Sequence, residues 1–103
     1  MEKYTVYILE CSDKSFYVGV TNDIESRLVQ HQEGINRKAY TNSRRPVKLV
    51  FTEHFHHIND AIAFEKQLKG WRREKKIAII NGEWDKLPAL NIAYNKKDRS
   101  EDA

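Results

Sequence analysis

The sequence is poor in the features that would tie a small chain together covalently or place it in a membrane. Cys11 is its single cysteine, so no internal disulfide is possible and a reducing cytoplasm is the expected compartment. No run of about eighteen apolar residues occurs, which excludes a membrane-spanning helix. The opening residues, MEKYTVYILEC, enter a strand-like pattern directly and lack the apolar region and cleavage site of a signal peptide. The sequence therefore predicts a cytoplasmic protein without a membrane partner.

The chain is long enough for one hydrophobic core and too short for two. Its 103 residues are 40% hydrophobic and 32% charged, which is the balance of a soluble globular domain. Neither an internal repeat nor a linker interrupts it. We expect a domain over residues 1–82, an extension over 83–94 that packs on it, and a polar, disordered tail over 95–103.

Positive charge is concentrated in two basic runs, although the net charge is only +3. Residues 37–48 (RKAYTNSRRPVK) contain no acidic residue, and residues 66–76 (KQLKGWRREKK) contain one. Clustered lysines and arginines displace counterions from nucleic acid, and aromatic side chains within the runs can stack on bases. A solvated, lysine-rich surface is the alternative. The expected nucleic-acid-binding residues are Arg37, Lys38, Tyr40, Arg44, Arg45, Lys69, Arg72 and Arg73.

Three segments have the residue pattern of β-strands. Residues 4–10 (YTVYILE) and 15–20 (SFYVGV) flank a short polar turn and are typical of a β-hairpin. Residues 47–55 (VKLVFTEHF) alternate around Val47, Leu49 and Phe51, and they predict a third strand.

Three further segments have apolar residues at helical spacing. The first follows Asn22, its expected N-cap, and continues to about Gly34. The second is capped by Asn59 or Asp60, and a third ends at Asn81. The order β-β-α-β-α-α predicts an α+β fold in which helices flank a three-stranded antiparallel sheet.

Four side chains near the hairpin could carry chemistry, and each also has a plainer structural interpretation. Arg27 and His31 lie four residues apart on the first helix, so both can reach one point. A guanidinium binds phosphate through paired hydrogen bonds, and an imidazole changes its protonation near neutral pH. Alternatively, Arg27 is a surface residue and His31 a half-buried, hydrogen-bonded ring. Tyr7 and Tyr17 are near neighbours across the hairpin, either as core aromatics or as hydroxyls that handle a proton.

Glu65 lies beside the apolar side of the second helix. A carboxylate there loses solvation, and a positively charged group must compensate for this loss. A salt bridge to a nearby lysine or arginine would meet this need. A divalent ion would meet it too, because Mg²⁺ and Mn²⁺ prefer carboxylate oxygens and take their other ligands from water and phosphate. The adjacent His56 and His57 lack a nearby cysteine or HExxH spacing, and we expect them at the surface.

In combination, these positions resemble the GIY-YIG nuclease family. The two triplets that name the family correspond to Thr5-Val6-Tyr7 and Tyr17-Val18-Gly19. The segment NDIESRLVQH is similar to the family's helix, with its arginine at Arg27 and its Tyr-or-His position at His31. The segment AFEKQLKGW is similar to the one that carries the metal-binding glutamate, here Glu65. The resemblance covers about residues 3 to 82 and is greatest to small, stand-alone bacterial members.

The resemblance implies a metal-dependent endonuclease that hydrolyses phosphodiester bonds in DNA, with Mg²⁺ or Mn²⁺ bound by Glu65. Arg27 would stabilise the transition state, and one of the two tyrosines would position or deprotonate the attacking water. Gly19 would let the strand end pass the site without a Cβ in the way. The implied catalytic residues are Tyr7, Tyr17, Arg27, His31 and Glu65.

Two positions depart from the family pattern, and a third has only a candidate match. Thr5 replaces the first glycine, Val20 stands where excision-repair members have a lysine, and Asn81 is the candidate for an asparagine found in some members. We expect the substrate to be structured or single-stranded DNA in repair or recombination. Because the sequence shows no attached module to choose a target, a partner protein is the expected source of specificity. The pattern does not separate DNA from RNA or predict an oligomeric state. The alternative function is a nucleic-acid-binding module of the same fold with weak or no activity, and an oligomerising domain is a third.

Overall fold

The structure is a computed structural model that describes residues 3–35 and 37–83. Its order of elements, β-β-α-β-α-α, and its α+β class are those predicted from the sequence, and both are confirmed. The predicted extension beyond Glu83 and the predicted tail lie outside the described residues. The elements are β1 (Tyr4–Glu10), β2 (Phe16–Thr21), α1 (Ile24–Glu33), a short 3₁₀ helix (Asn42–Arg44), β3 (Lys48–Phe55), α2 (Ile58–Lys69) and α3 (Arg73–Ile80).

The three strands form one antiparallel sheet in the order β2-β1-β3. Strand β1 takes the central place, in keeping with its unbroken run of buried residues from Thr5 to Leu9. Within the hairpin, Tyr7 pairs with Gly19 and Leu9 pairs with Tyr17. The two tyrosines therefore lie diagonally to each other on one face of the sheet, with ring centroids 6.2 Å apart.

Alternate residues of β1 point to opposite faces of the sheet, and each face is covered by a different helix. On the first face, Tyr7 and Leu9 are buried in a cluster against which Leu28 of α1 packs. On the second face, the ring of Phe64 in α2 lies 6.4 Å from Phe51 and 5.5 Å from Phe55 of β3, between centroids. Helix α1 thus shares the face that carries the tyrosines.

The N-cap of helix α1 lies one residue later than predicted. Asp23, and not Asn22, is the N-cap: its carboxylate accepts a hydrogen bond from the Ser26 backbone N–H at 3.1 Å, which lowers the pKa of the carboxyl group. The helix ends at Gly34, whose φ of +66° is the left-handed conformation that glycine adopts most readily. The predicted end of this helix is therefore confirmed and its predicted cap is wrong.

Helix α2 begins before both of its predicted caps. Its N-cap position is His57, whose side chain makes no capping hydrogen bond, so Asn59 and Asp60 lie inside the first turn. Asp60 places a negative charge next to the free N–H groups there, which favours the helix without a cap. Its apolar side is as predicted, with Phe64 and Leu68 buried.

The described residues fall into two compact units, the first ending at Gly70 and the second beginning at Trp71. Within the second unit, α3 buries Ala78 and Ile79, and the Lys75 ammonium lies 4.5 Å from the centroid of the Trp71 ring. The helix ends at the predicted Asn81. Over the described part of the chain, the helices are too short or too polar to cross a membrane.

Candidate active site

Tyr7 is a fully buried phenol that connects the other polar groups of the hairpin face. Its hydroxyl oxygen lies 3.1 Å from Nε2 of His31. The pKa of Tyr7 is raised to about 12, chiefly by burial and also by the neighbouring Tyr17. The charge and hydrogen bonding of Arg27 act in the opposite direction. Tyr7 is therefore a neutral phenol at neutral pH, in contact with Tyr17, Arg27 and His31.

Gly19 lies opposite Tyr7 in the hairpin and gives the phenol its space. A Cβ at this glycine would lie 2.5 Å from the Tyr7 hydroxyl oxygen and 2.6 Å from Cζ, closer than real Cβ atoms approach any atom. The glycine of the second triplet therefore acts on the site through the position of the Tyr7 ring.

His31 is a buried imidazole with both ring nitrogens in contact with hydroxyl groups. Nε2 lies 3.1 Å from the Tyr7 hydroxyl, and Nδ1 lies 2.8 Å from Oγ1 of Thr41. Burial lowers the pKa of His31, and the charge of Arg27 lowers it further. The imidazole is accordingly neutral near pH 7, with one nitrogen that donates and one that accepts a hydrogen bond.

A cleft of about 170 Å³ opens beside these groups. Arg27 and Tyr17 are both half-buried, so each presents part of its side chain to the cleft. A guanidinium, a phenol and an imidazole on one small cleft can bind an anion and move protons around it. The lining residues are Tyr17, Arg27, Gln30, His31, Gly34, Ala39 and Thr41.

Part of the first basic run lies next to this cleft. The Tyr40 ring stacks on Tyr17, with centroids 6.2 Å apart and planes at 25°, and the Arg44 guanidinium carbon lies 3.9 Å from the centroid of the Tyr40 ring. Arg44 also forms an ion pair with Asp13 at 3.1 Å. Tyr40 is 43% exposed, so it remains accessible to a partner.

Other residues of the predicted nucleic-acid surface differ in what they contact. Arg45 donates hydrogen bonds to the carbonyls of Asn42 at 2.8 Å and Gln32 at 3.4 Å, near the end of α1. Arg37, Arg72 and Arg73 are exposed. The structure thus gives Arg45 a structural contact that the sequence pattern did not predict.

Glu65 forms a salt bridge to a nearby lysine, which is one of the two interpretations that the sequence allowed. Its carboxylate lies 2.9 Å from the Lys69 ammonium, and its side chain is only 14% exposed. Glu65 is not among the residues lining the cleft, and its helix α2 packs on the face of the sheet opposite the tyrosines. Over residues 3–35 and 37–83, no group of three His, Cys, Asp or Glu side chains could hold a metal.

The chemistry of Glu65 nevertheless fits a magnesium-type ion. A largely buried carboxylate with a cation against it is a place where positive charge is stabilised, and Lys69 occupies that place. Mg²⁺ is often bound by one or two carboxylates and completes its coordination with water and substrate phosphates. One glutamate is therefore a sufficient protein ligand when the substrate supplies the rest.

Thr41 is the site residue that the sequence pattern missed. It lies in a polar loop, where neither helical nor strand periodicity marks a residue as buried, yet it is 1% exposed and touches His31. Its position within the basic run, directly after Tyr40, indicated a place near bound nucleic acid but gave no indication of a contact with His31.

Comparison with known proteins identifies the family of the chain. Residues 3–78 match the GIY-YIG catalytic domain, so the chain belongs to the GIY-YIG family, whose members are generally nucleases. The similar proteins carry the name UPF0213. One from Staphylococcus saprophyticus is 41% identical over 79% of this chain and 98% of its own length, and one from Syntrophus aciditrophicus is 46% identical over 78% and 92%.

Two solved structures are similar in fold. The solution NMR structure of a UPF0213 protein from Bacillus halodurans is 37% identical, with a TM-score of 0.51 over 77% of this chain and 83% of that one. The solution NMR structure of a protein from E. faecalis is 34% identical, with a TM-score of 0.56 over 80% and 90%. Both relatives are small proteins that this chain matches over most of their length.

Proposed function

We propose that this chain is a divalent-metal-dependent endonuclease that hydrolyses phosphodiester bonds in DNA. The observation that carries the proposal is the convergence of Tyr17, Arg27 and His31 on one small cleft, with Tyr7 hydrogen-bonded behind them. This cleft offers paired donors for the phosphate oxygens and a connected set of groups that can accept a proton from water.

Arg27 binds the non-bridging phosphate oxygens in this mechanism and stabilises the charge that grows on them. Of the two tyrosines, Tyr17 meets the attacking water, because it lines the cleft whereas Tyr7 is fully buried. The raised pKa of Tyr7 keeps its hydroxyl protonated at neutral pH, so Tyr7 is not itself the base and can instead pass a proton on.

The proton of the attacking water moves along these side chains. The Tyr17 oxygen takes it while the Tyr17 proton passes to Tyr7, and the Tyr7 proton passes to Nε2 of His31. The water oxygen forms the new bond to phosphorus, the bond from phosphorus to the leaving sugar oxygen breaks, and that oxygen takes a proton from solvent. Both phenols end neutral, and His31 holds the proton until the product leaves.

Glu65 is the proposed ligand of Mg²⁺ or Mn²⁺, which would supply positive charge at the scissile phosphate and the departing oxygen. The support for this role is that its carboxylate, an oxygen donor of the kind that Mg²⁺ prefers, is largely buried. Water and the substrate phosphate would complete the coordination.

The proposed substrates are branched or single-stranded DNA formed in repair or recombination. The support is the Tyr40 ring, which stacks on Tyr17 of the cleft and is 43% exposed, so that it can contact an unpaired base, together with the exposed Arg37 of the same basic run. A partner protein is the proposed source of target choice. RNA of the same shapes is the natural comparison substrate.

A second candidate is a nucleic-acid-binding module with weak or no activity. The observation that favours it is the Glu65–Lys69 ion pair, which satisfies the carboxylate without a metal ion.

Cleavage assays separate the two candidates. Plasmid, single-stranded and four-way branched DNA, and single-stranded RNA, are incubated with the protein in Mg²⁺, Mn²⁺ or EDTA, beside Glu65→Gln and the exposed control Glu33→Gln. We expect the parent and Glu33→Gln to cut DNA with metal only, and Glu65→Gln not to cut. If no protein cuts any substrate while all bind with a steep salt dependence, the binding module is correct.

A further inference from the structure

Thr41 is a buried residue whose hydroxyl is held next to the site by hydrogen bonds of its loop. It immediately precedes the 3₁₀ helix Asn42–Arg44, and the Asn42 side chain donates a hydrogen bond to the Gly34 carbonyl at 2.9 Å. The loop is therefore attached to the end of α1, and its Thr41 oxygen lies 2.8 Å from Nδ1 of His31.

The donors and acceptors around His31 indicate which nitrogen carries the proton. Arg27 has donors only, so where it meets the Tyr7 oxygen that oxygen accepts, and the Tyr7 proton is left for one of its two neighbouring acceptors, Tyr17 and His31. Nε2 of His31, 3.1 Å away, accepts this proton when Nε2 itself carries none. A neutral imidazole then has its proton on Nδ1, where Thr41 Oγ1 is the acceptor.

We infer that Thr41 is a positioning residue: its hydroxyl accepts the Nδ1–H of His31 and fixes the tautomer in which Nε2 receives the Tyr7 proton. Its consequence for catalysis depends on the proposed function, whereas the tautomer itself does not. Thr41 also lies within the basic run 37–48, so the segment proposed to hold nucleic acid also orients the proton acceptor of the cleft.

The groups that set the protonation of His31 come from every element around it. Tyr7 faces it from β1, Tyr17 from β2 with ring centroids 5.1 Å apart, and Arg27 from its own helix. Among these described neighbours, Arg27 carries the charge near pH 7. Because Thr41 is uncharged, removing its hydroxyl can change the tautomer of His31 without adding or removing charge.

Nitrogen NMR of the histidine side chains tests this inference without any cleavage, because protonated and unprotonated ring nitrogens have well-separated chemical shifts. At pH 7.5 we expect the parent to show His31 protonated on Nδ1, with Thr41→Ser unchanged. Thr41→Val, which keeps the shape and removes the hydroxyl, should give a mixture or the other tautomer. A parent protonated on Nε2, or a Thr41→Val spectrum identical to the parent's, overturns the inference.

The parent spectrum decides the question even if Thr41→Val fails to fold. In cleavage assays, Thr41→Val should lose turnover by about ten- to a hundredfold with little change in KM, as when a residue orienting a functional histidine is removed. Thr41→Ser should restore it. Unchanged turnover in a Thr41→Val protein that cuts DNA overturns the positioning role. If no variant cuts yet the tautomer is as expected, the proposed function fails and the assignment of the hydrogen bond stands.

Discussion

Gly19 and Tyr7 are paired across the β1–β2 hairpin, and the phenol occupies the space that a side chain at Gly19 would need. A Cβ there would meet the hydroxyl oxygen at 2.5 Å, and the Tyr7 ring cannot retreat easily because it is fully buried. The absence of a side chain at position 19 therefore allows the Tyr7 hydroxyl to lie where it contacts His31.

Gly19→Ala should destabilise the protein by about 1–3 kcal/mol, the usual cost of overpacking a core, and should displace the Tyr7 hydroxyl from His31. Urea unfolding measures the first effect, and the His31 side-chain shifts report the second. Gly70→Ala is the matched control, since the nearest atom to its added Cβ is 3.7 Å away at an ordinary φ of −86°. Equal stability of the two variants would contradict the steric interpretation.

Stability should fall at alkaline pH through Tyr7. Its pKa is raised from 10.0 to about 12 on folding, so between these values the unfolded chain has lost a proton that the folded chain keeps. Stability from this group is complete below pH 10 and is lost as the pH rises toward 12, by about 3 kcal/mol. Tyr7→Phe should unfold with a correspondingly weaker pH dependence in urea titrations from pH 9 to 11.5. A pH dependence of unfolding in Tyr7→Phe equal to that of the parent would rule out this linkage.

Lys69 and a metal ion should compete for Glu65. Removing the ammonium in Lys69→Gln should tighten Mn²⁺ binding by up to about fivefold, because an ion pair made by a solvent-exposed lysine contributes at most about 1 kcal/mol. Lys66→Gln, at an exposed lysine on the same helix, controls for the general loss of positive charge. Calorimetric titration of Mn²⁺ in the absence of DNA measures the affinities. Equal affinities of the two variants would show that Glu65 does not bind the ion.

Substitutions of Arg37 and Arg45 should have different effects, the first on nucleic-acid binding and the second on stability. Arg37 is exposed, so Arg37→Gln should weaken DNA binding, with the slope of log K against log salt reduced by about 0.9 for one lost phosphate contact on duplex DNA. Arg45→Gln should instead lower the urea midpoint, because it removes hydrogen bonds to the Asn42 and Gln32 carbonyls. Salt-dependent binding and urea unfolding of both variants test this division, and a reversed result would contradict it.

The sheet and helices could be predicted because their signal is local. Strand alternation and helical spacing are written in successive residues, as in the buried Phe64 and Leu68 of α2. Helix starts were less accurate, since Asn22 and Asp23 can both cap and only the backbone path decides between them.

The candidate site was only partly predictable for a related reason. Arg27 and His31 share a helix face, so their convergence follows from spacing alone. Thr41 meets His31 through a loop closure, and Arg45 turns back to α1, which no periodic pattern encodes. The partner of Glu65 was expected as a class, a nearby cation, and the structure supplies the particular residue, Lys69.

The most direct test of the proposed chemistry is the turnover of Arg27→Lys on branched or single-stranded DNA in Mg²⁺ or Mn²⁺, measured beside its DNA affinity. Lysine keeps the charge and loses the planar pair of donors. If the cleft is the site of phosphodiester hydrolysis, turnover falls by about a hundredfold or more while affinity changes little. Turnover equal to that of the parent would contradict the assignment of this cleft as the active site.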